Sequence, residues 1–169
     1  TNGWHADLVI VVAKTNPAAG AKGTSLMLVE RGMPGFETGK RLKKLGMKAQ
    51  DTSELFFTDV KVPAENLLGG QAHENRGFIC LMEQLPWERM QIAITAVASA
   101  QAAIDWTLAY VKERKVFGQP VASYQNTRYT LAELQTEVQV ARVFVDKCAE
   151  LVAQDKLDTA TASMAKYWC

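Results

Sequence analysis

Cysteine and histidine are scarce, and the few present form no site. Cys80, Cys148 and Cys169 stand far apart, with no CxxC pair and no zinc-ligand spacing, so they read as reduced thiols acting as small apolar groups. His5 and His73 neighbour neither a cysteine nor each other, and no metal centre is expected. Phosphate-binding and nucleophile signatures are missing too: no GxGxxG follows an apparent strand, and neither a P-loop nor a GxSxG elbow occurs. Charge of one sign is not in excess; a net charge of +1 sets up no field to draw in nucleic acid or an anionic membrane. The polar opening Thr1–Asp7 does not read as a signal peptide. The longest uncharged stretch, between Arg89 and Asp105, is short for a bilayer and rich in Ala, Ser, Thr and Gln, which predicts a buried helix without a transmembrane role.

What is present divides into two compositions. Ten of the eleven glycines lie at or before Gly77, which sets a boundary near Gly69–Gly77 and two domains, residues 1–70 and 71–169. The front part reads as strands. Leu8–Ala13 is a continuous apolar run, predicting a strand covered on both faces. Asn16–Gly23 is a turn-rich loop, Leu26–Val29 a second strand and Phe36–Leu42 a third. Ser53–Val62 is a fourth, but its apolar parity slips between Leu55/Phe57 and Val60/Val62, which requires a turn or bulge near Thr58–Asp59.

The rear part reads as helices. Met90, Ile94, Val97, Ile104, Leu108 and Val111 recur at helical spacing, with alanines over much of the remaining surface, as in a helix buried among others. Gly118 and Pro120 break the chain. A second helix carries Leu131, Leu134, Val138, Ala141, Val145, Cys148 and Leu151 on one stripe, and Asp158 is placed to cap a third. Pro86 either starts a new helix or interrupts one long helix.

The residues themselves offer little chemistry. Glu83, Glu88 and Arg89 cluster around Pro86. A carboxylate desolvated at the edge of an apolar helix suits general-base work, and a solvated Glu–Arg pair at a helix end is the other reading. Arg114 and Lys115 beside Phe117 suit either a phosphate-bearing ligand or the electronegative end of a helix.

Several motifs together resemble the acyl-CoA dehydrogenase family, in order and spacing over essentially the whole chain. They are Thr1-Asn2-Gly3 with Ala6-Asp7; Gly23-Thr24-Ser25, Val29-Glu30 and Pro34-Gly35-Phe36; Lys44 to Lys48 and Asp51 to Leu55. Phe57 with Val60 to Gly69 follows, then Glu113 to Gly118, Gln125, Leu131-Ala132-Glu133 and Ala165-Lys166. The resemblance implies a multidomain α+β fold: part of an antiparallel β barrel or sandwich, then the first helices of an up-down bundle. It also implies that the chain is a piece of a longer protein, without the family's N-terminal helical domain, its Trp beside the flavin, or its final helices with their Gly-rich cofactor loop.

Family chemistry removes a proton from the α carbon of an acyl-CoA thioester and passes the β hydrogen as hydride to FAD. In Leu85-Pro86-Trp87-Glu88-Arg89 the resemblance assigns the base to Glu88, the position used by long-chain and isovaleryl types, and places Arg89 at the CoA end. That assignment favours one helix running through Pro86. Thr1 resembles the Thr that approaches the flavin ring, and Arg114, Phe117 and Gln125 resemble residues holding the pyrophosphate and adenine half of FAD from a neighbouring subunit. A homotetramer, an electron-transfer flavoprotein as acceptor, and a bacterial cytosol or mitochondrial matrix follow as implications. A same-fold oxidase or monooxygenase and a non-catalytic fragment are the alternatives.

Overall fold

A computed structural model describes residues 1–169 as two compact units, Thr1–Leu81 and Met82–Cys169. In the first, β1 (Leu8–Lys14) and β2 (Thr24–Glu30) pair antiparallel, in register from Leu8↔Glu30 to Lys14↔Thr24. The other edge of β2 is taken by the returning chain. Met27 bridges Leu67, the Leu68 amide donates to the Leu26 carbonyl at 2.9 Å, and Asn66 Nδ2 donates to the Leu28 carbonyl at 2.9 Å. Flanked on both edges, β2 is the buried strand, contributing Thr24, Ser25, Leu26 and Val29 to the core.

β1 corrects the expectation of a strand covered on both faces. Its side chains alternate: Val9, Val11 and Ala13 are half-buried, while Leu8, Ile10 and Val12 are exposed. Nothing within residues 1–169 covers that second face. A continuous apolar run therefore reports two faces suited to burial, and only one is shielded here.

β3 (Phe36–Arg41) and β4 (Ser53–Phe57) form a second antiparallel ladder from Phe36↔Phe57 to Arg41↔Ser53, irregular between Thr38 and Arg41. The Phe36 and Phe57 rings stack with centroids 4.9 Å apart. The turn expected at Thr58–Asp59 is present: Asp59 has φ 50° and the Thr58 amide returns to the Gly35 carbonyl at 2.9 Å. The strand does not resume through Val62 as expected, because the chain turns away and Pro63 begins a short 3-10 segment. The parity slip thus marked the end of a strand.

α1 (Gly77–Glu113) begins where a Cβ would lie 2.8 Å from the Ser25 carbonyl carbon, so glycine permits the close approach to β2. It continues through Pro86 as one helix, resolving the two readings of that residue in favour of a single element. A short hairpin follows, β5 (Lys115–Val116) with β6 (Gln119–Pro120), then α2 (Gln125–Ala153) and α3 (Thr159–Trp168). The core of the second unit joins Met90, Ala93 and Val97 of α1 to Ala141, Val145 and Cys148 of α2 and Ala165 of α3. Asp158 caps α3 as expected, its Oδ1 accepting from the Thr161 amide at 2.9 Å.

α1 is not buried on most faces. Ile94, expected on its inner stripe, is exposed, as are Ile92, Trp106 and Tyr110, because only α2 and α3 supply a packing surface in this unit. Its length and apolarity reach those of a membrane span, yet its Met90–Val97 stripe is spent on the helical core. Leu134 of α2 is likewise exposed.

Candidate functional site

Helical periodicity places Glu88, Gln91, Ile92, Thr95 and Ala96 along one stripe of α1. They line an open groove of about 550 Å³ on the face opposite Met90, Ala93 and Val97. Glu88 itself is exposed, so residues 1–169 do not supply the desolvation anticipated for it. Pro86 lies two residues earlier; having no N–H, it leaves the Met82 carbonyl without its helical donor at the entrance to this stretch. Arg89 is half-buried, and its Nη1 is buried with no hydrogen-bond partner. A guanidinium nitrogen in that state is costly unless an acceptor arrives, and an anion or carbonyl would satisfy it.

A second group assembles around the hairpin. β5 and β6 pair through Val116↔Gln119, leaving Phe117-Gly118 as a two-residue turn with φ 51° and 84°. Positive φ at both positions defines the turn that matches strand twist, but its usual first residue is Asn, Asp or Gly. Here a phenylalanine is held there with its side chain 94% exposed. The turn is fastened from below: Tyr124 Oη donates to the Val116 carbonyl at 2.6 Å, and the Val121 amide donates to the Arg114 carbonyl at 2.8 Å. Arg114 is exposed at one end of the hairpin, and Gln125 is the exposed first residue of the 29-residue α2. No side chain caps that helix, so its first-turn amides remain available to an acceptor. An exposed ring, a guanidinium and free helix N-terminal amides suit an aromatic base joined to phosphates, so the residues present fit the dinucleotide half of FAD.

Glu88 and the hairpin cannot serve one end of a single ligand. The helix from Glu88 to Glu113 is continuous, and at 1.5 Å per residue its span is roughly 37 Å.

A third group lies in the first unit. Thr1 is exposed and followed by Asn2 at φ 61° and a buried Gly3. Two side chains fasten this turn. Asp51 Oδ2 accepts from the Trp4 amide at 2.8 Å, while the Asp51 carbonyl accepts from the Asn2 amide at 2.9 Å. Arg31 donates to the carbonyls of Ala6 (2.9 Å), Trp4 (2.8 Å) and Gly3 (3.3 Å), and lies 3.7 Å from Asp7. Sequence reading singled out neither Arg31 nor Asp51 as a holder of the Thr1 segment. Partners 28 and 47 residues away leave no periodic trace.

The groups fall on different elements: Thr1 in the first unit, Glu88 with Arg89 about a third of the way along α1, and Arg114, Phe117 and Gln125 at the hairpin. Among the cysteines, Cys148 is fully buried; burial, then the nearby Cys169 and Asp158, push its thiol up from the ordinary value.

The family model described as "Acyl-CoA dehydrogenase, middle domain" matches residues 1–60, and that described as "Acyl-CoA dehydrogenase, C-terminal domain" matches residues 75–169. The long-chain specific acyl-CoA dehydrogenase of Rattus norvegicus is 54% identical over 99% of this chain and 39% of its own length. The isovaleryl-CoA dehydrogenase of Oryza sativa is 40% identical over 94% of this chain and 38% of its own. A crystal structure of acyl-CoA dehydrogenase from Geobacillus kaustophilus superposes with a TM-score of 0.93 at 46% identity, covering 99% of this chain and 44% of that one. The chain therefore spans about two fifths of the length of the relatives it matches.

Proposed function

Because the chain belongs to the acyl-CoA dehydrogenase family, we propose that the protein containing it oxidises an acyl-CoA thioester to the trans-2-enoyl-CoA, with Glu88 as the base. The observation that carries the reading is the Leu85–Arg89 turn of α1. A carboxylate stands there on an open groove beside a guanidinium whose buried nitrogen has no partner. Glu88 takes the proton from the carbon next to the thioester carbonyl. The apolar side of the groove, with Ile92 and Ala96, receives acyl chain, and the covering chain excludes water from the carboxylate. Arg89 satisfies its free nitrogen on an oxygen of the CoA portion.

FAD, when bound, supplies the acceptor for the hydride that leaves the β carbon. Arg114 and the first-turn amides at Gln125 hold the phosphates of the cofactor, and Phe117 stacks on its adenine. Thr1 meets the ring portion, on a turn fixed by Arg31 and Asp51. The span of roughly 37 Å between Glu88 and the hairpin supports a site shared between copies of the chain, and a homotetramer is the assembly proposed. Electrons leave to an electron-transfer flavoprotein.

The test uses the full-length holoprotein mixed anaerobically with acyl-CoA thioesters. Wild type bleaches its flavin, and Glu88→Gln, which keeps size and hydrogen bonding, slows bleaching by at least about a hundredfold while still binding acyl-CoA. Near-normal bleaching in that variant refutes the assignment. Rapid peroxide release when the reduced wild type meets oxygen would instead identify an oxidase.

A further inference from the structure

Tyr124 belongs to the helix end and to the hairpin at once. Its backbone is the residue before α2, at φ −77° and ψ 134°; its amide donates to the Val121 carbonyl at 3.2 Å, and its carbonyl accepts from the Arg128 amide at 3.1 Å. Short polar side chains that cap the helix are preferred at that position. Here a half-buried phenol reaches back eight residues instead, and Tyr124 Oη donates to the Val116 carbonyl at 2.6 Å.

The carbonyl it holds governs Phe117. Val116 C=O and the Phe117 N–H belong to one planar peptide unit, so fixing that oxygen fixes the plane from which the φ of Phe117 turns. That φ is 51°, where a residue with a Cβ is strained, and Gly118 follows at 84°. The ladder under the turn consists of two residue pairs, Lys115↔Pro120 and Val116↔Gln119. So short a hairpin is marginal by itself, and Pro120 brings no N–H to it. Relaxation of Phe117 to negative φ would splay the strands and swing the ring away. Packing does not oppose this, because the ring is 94% exposed. The phenol hydroxyl does, by closing residues 116–124 into a loop. One residue therefore ties the exposed ring to the helix end whose first-turn amides no side chain caps.

We propose that Tyr124 is the positioning residue of this clamp: its hydroxyl holds Phe117 in a fixed place relative to the start of α2, so that the adenine and the pyrophosphate of one FAD are met together. The proposal deepens the cofactor reading above and rests on it. In this role Tyr124 acts through Phe117 and does not itself touch the cofactor.

The experiment takes the full-length protein, freed of flavin and titrated with FAD, as wild type, Tyr124→Phe, Phe117→Asn and the double variant. Tyr124→Phe removes one oxygen and keeps the ring, so the packing around it is retained. It is expected to weaken FAD about fivefold, as the loss of one neutral hydrogen bond would. In the Phe117→Asn background the same change alters FAD affinity by less than about twofold, because no ring remains to be held and Asn-Gly adopts the turn unaided. Turnover at saturating FAD stays within about twofold of wild type, since the hydroxyl affects holding of the cofactor and not the reaction. An FAD affinity in Tyr124→Phe equal to that of wild type overturns the proposal. So does a fivefold loss that persists in the double variant, which is what a general weakening of the α2 end would give. A fall in turnover at saturating FAD overturns it as well, by giving the hydroxyl a part in the reaction. Wild type that takes up no FAD sinks the cofactor reading itself, a failure told apart because it precedes any substitution.

Discussion

Phe117 is held where its residue type is uncomfortable, and removing the discomfort should trade cofactor affinity for stability. Its φ of 51° lies in the left-handed region, which costs a residue with a Cβ about 1–2 kcal/mol. Asn suffers less there, because its short side chain bonds locally, and Asn-Gly is the preferred pair for this turn. At 94% exposure the phenylalanine ring has almost no packing to lose. Phe117→Asn is therefore expected to stabilise the full-length apoprotein by about 1 kcal/mol. A glycine there would gain less, since its unfolded chain is freer by about 0.5–1 kcal/mol. On the cofactor side the variant gives up an aromatic platform worth about 1–3 kcal/mol, a weakening of FAD of about tenfold to a hundredfold. Urea unfolding of the apoprotein measures the first change and equilibrium flavin titration the second. A destabilised apoprotein would refute the strain argument, and an unchanged flavin affinity would remove Phe117 from the site.

Two further outcomes follow from the scaffold. Ser25 is fully buried, its Oγ accepting from the Asn75 amide at 2.8 Å and meeting Thr15 Oγ1 at 2.7 Å, so Ser25→Ala removes the acceptor of a part-buried N–H and should cost about 1 kcal/mol in urea unfolding; a neutral result would mean that water replaces the hydroxyl at Asn75. The Asp158 carboxyl is held below the usual carboxylate range by the Thr161 hydroxyl and then the Thr161 amide, so its stabilisation of α3 is complete above about pH 4 and is lost as pH falls through the lowered value. Asp158→Asn should flatten the acid limb of a pH–stability curve relative to wild type, and an identical limb in both would refute the cap's role.

Legibility followed the range of the interactions. The α3 cap and the α2 stripe depend on neighbours within a few residues, so Asp158 and the Ala141–Val145–Cys148 line could be read from spacing alone. The one-sided burial of β1 could not, because an apolar run states what a strand can bury and leaves open what is there to bury it. The slip after Phe57 was legible as a turn but not as an ending, since parity alone cannot distinguish a strand that resumes from one that stops. Glu88 and Phe117 were singled out by resemblance alone: the first is one acid among 18 and the second one of six phenylalanines. Arg31 and Asp51 were invisible as positioning groups, their bonds spanning most of the first unit.

Exposure is the common mark of the candidate residues. Glu88, Arg114, Phe117 and Gln125 face solvent, whereas the side chains that build the helical core are packed away. A pocket enclosed within one chain would gather its working groups and bury them. Here continuous helix holds Glu88 roughly 37 Å from the hairpin, and α1 offers Ile92, Ile94, Trp106 and Tyr110 to the outside over that span. Open functional groups joined by uncovered apolar surface are what the proposed shared site requires, in which each chain would contribute a base to one site and a dinucleotide clamp to another. On this logic, mixing a full-length Glu88→Gln protomer with a full-length Phe117→Asn protomer should regenerate some sites in which both wild-type groups meet. Activity recovered in the mixed oligomer above the sum of the two parents would require the two groups to act from different chains. No recovery in a demonstrably mixed assembly would place them on the same one, against the rise of the helix between them.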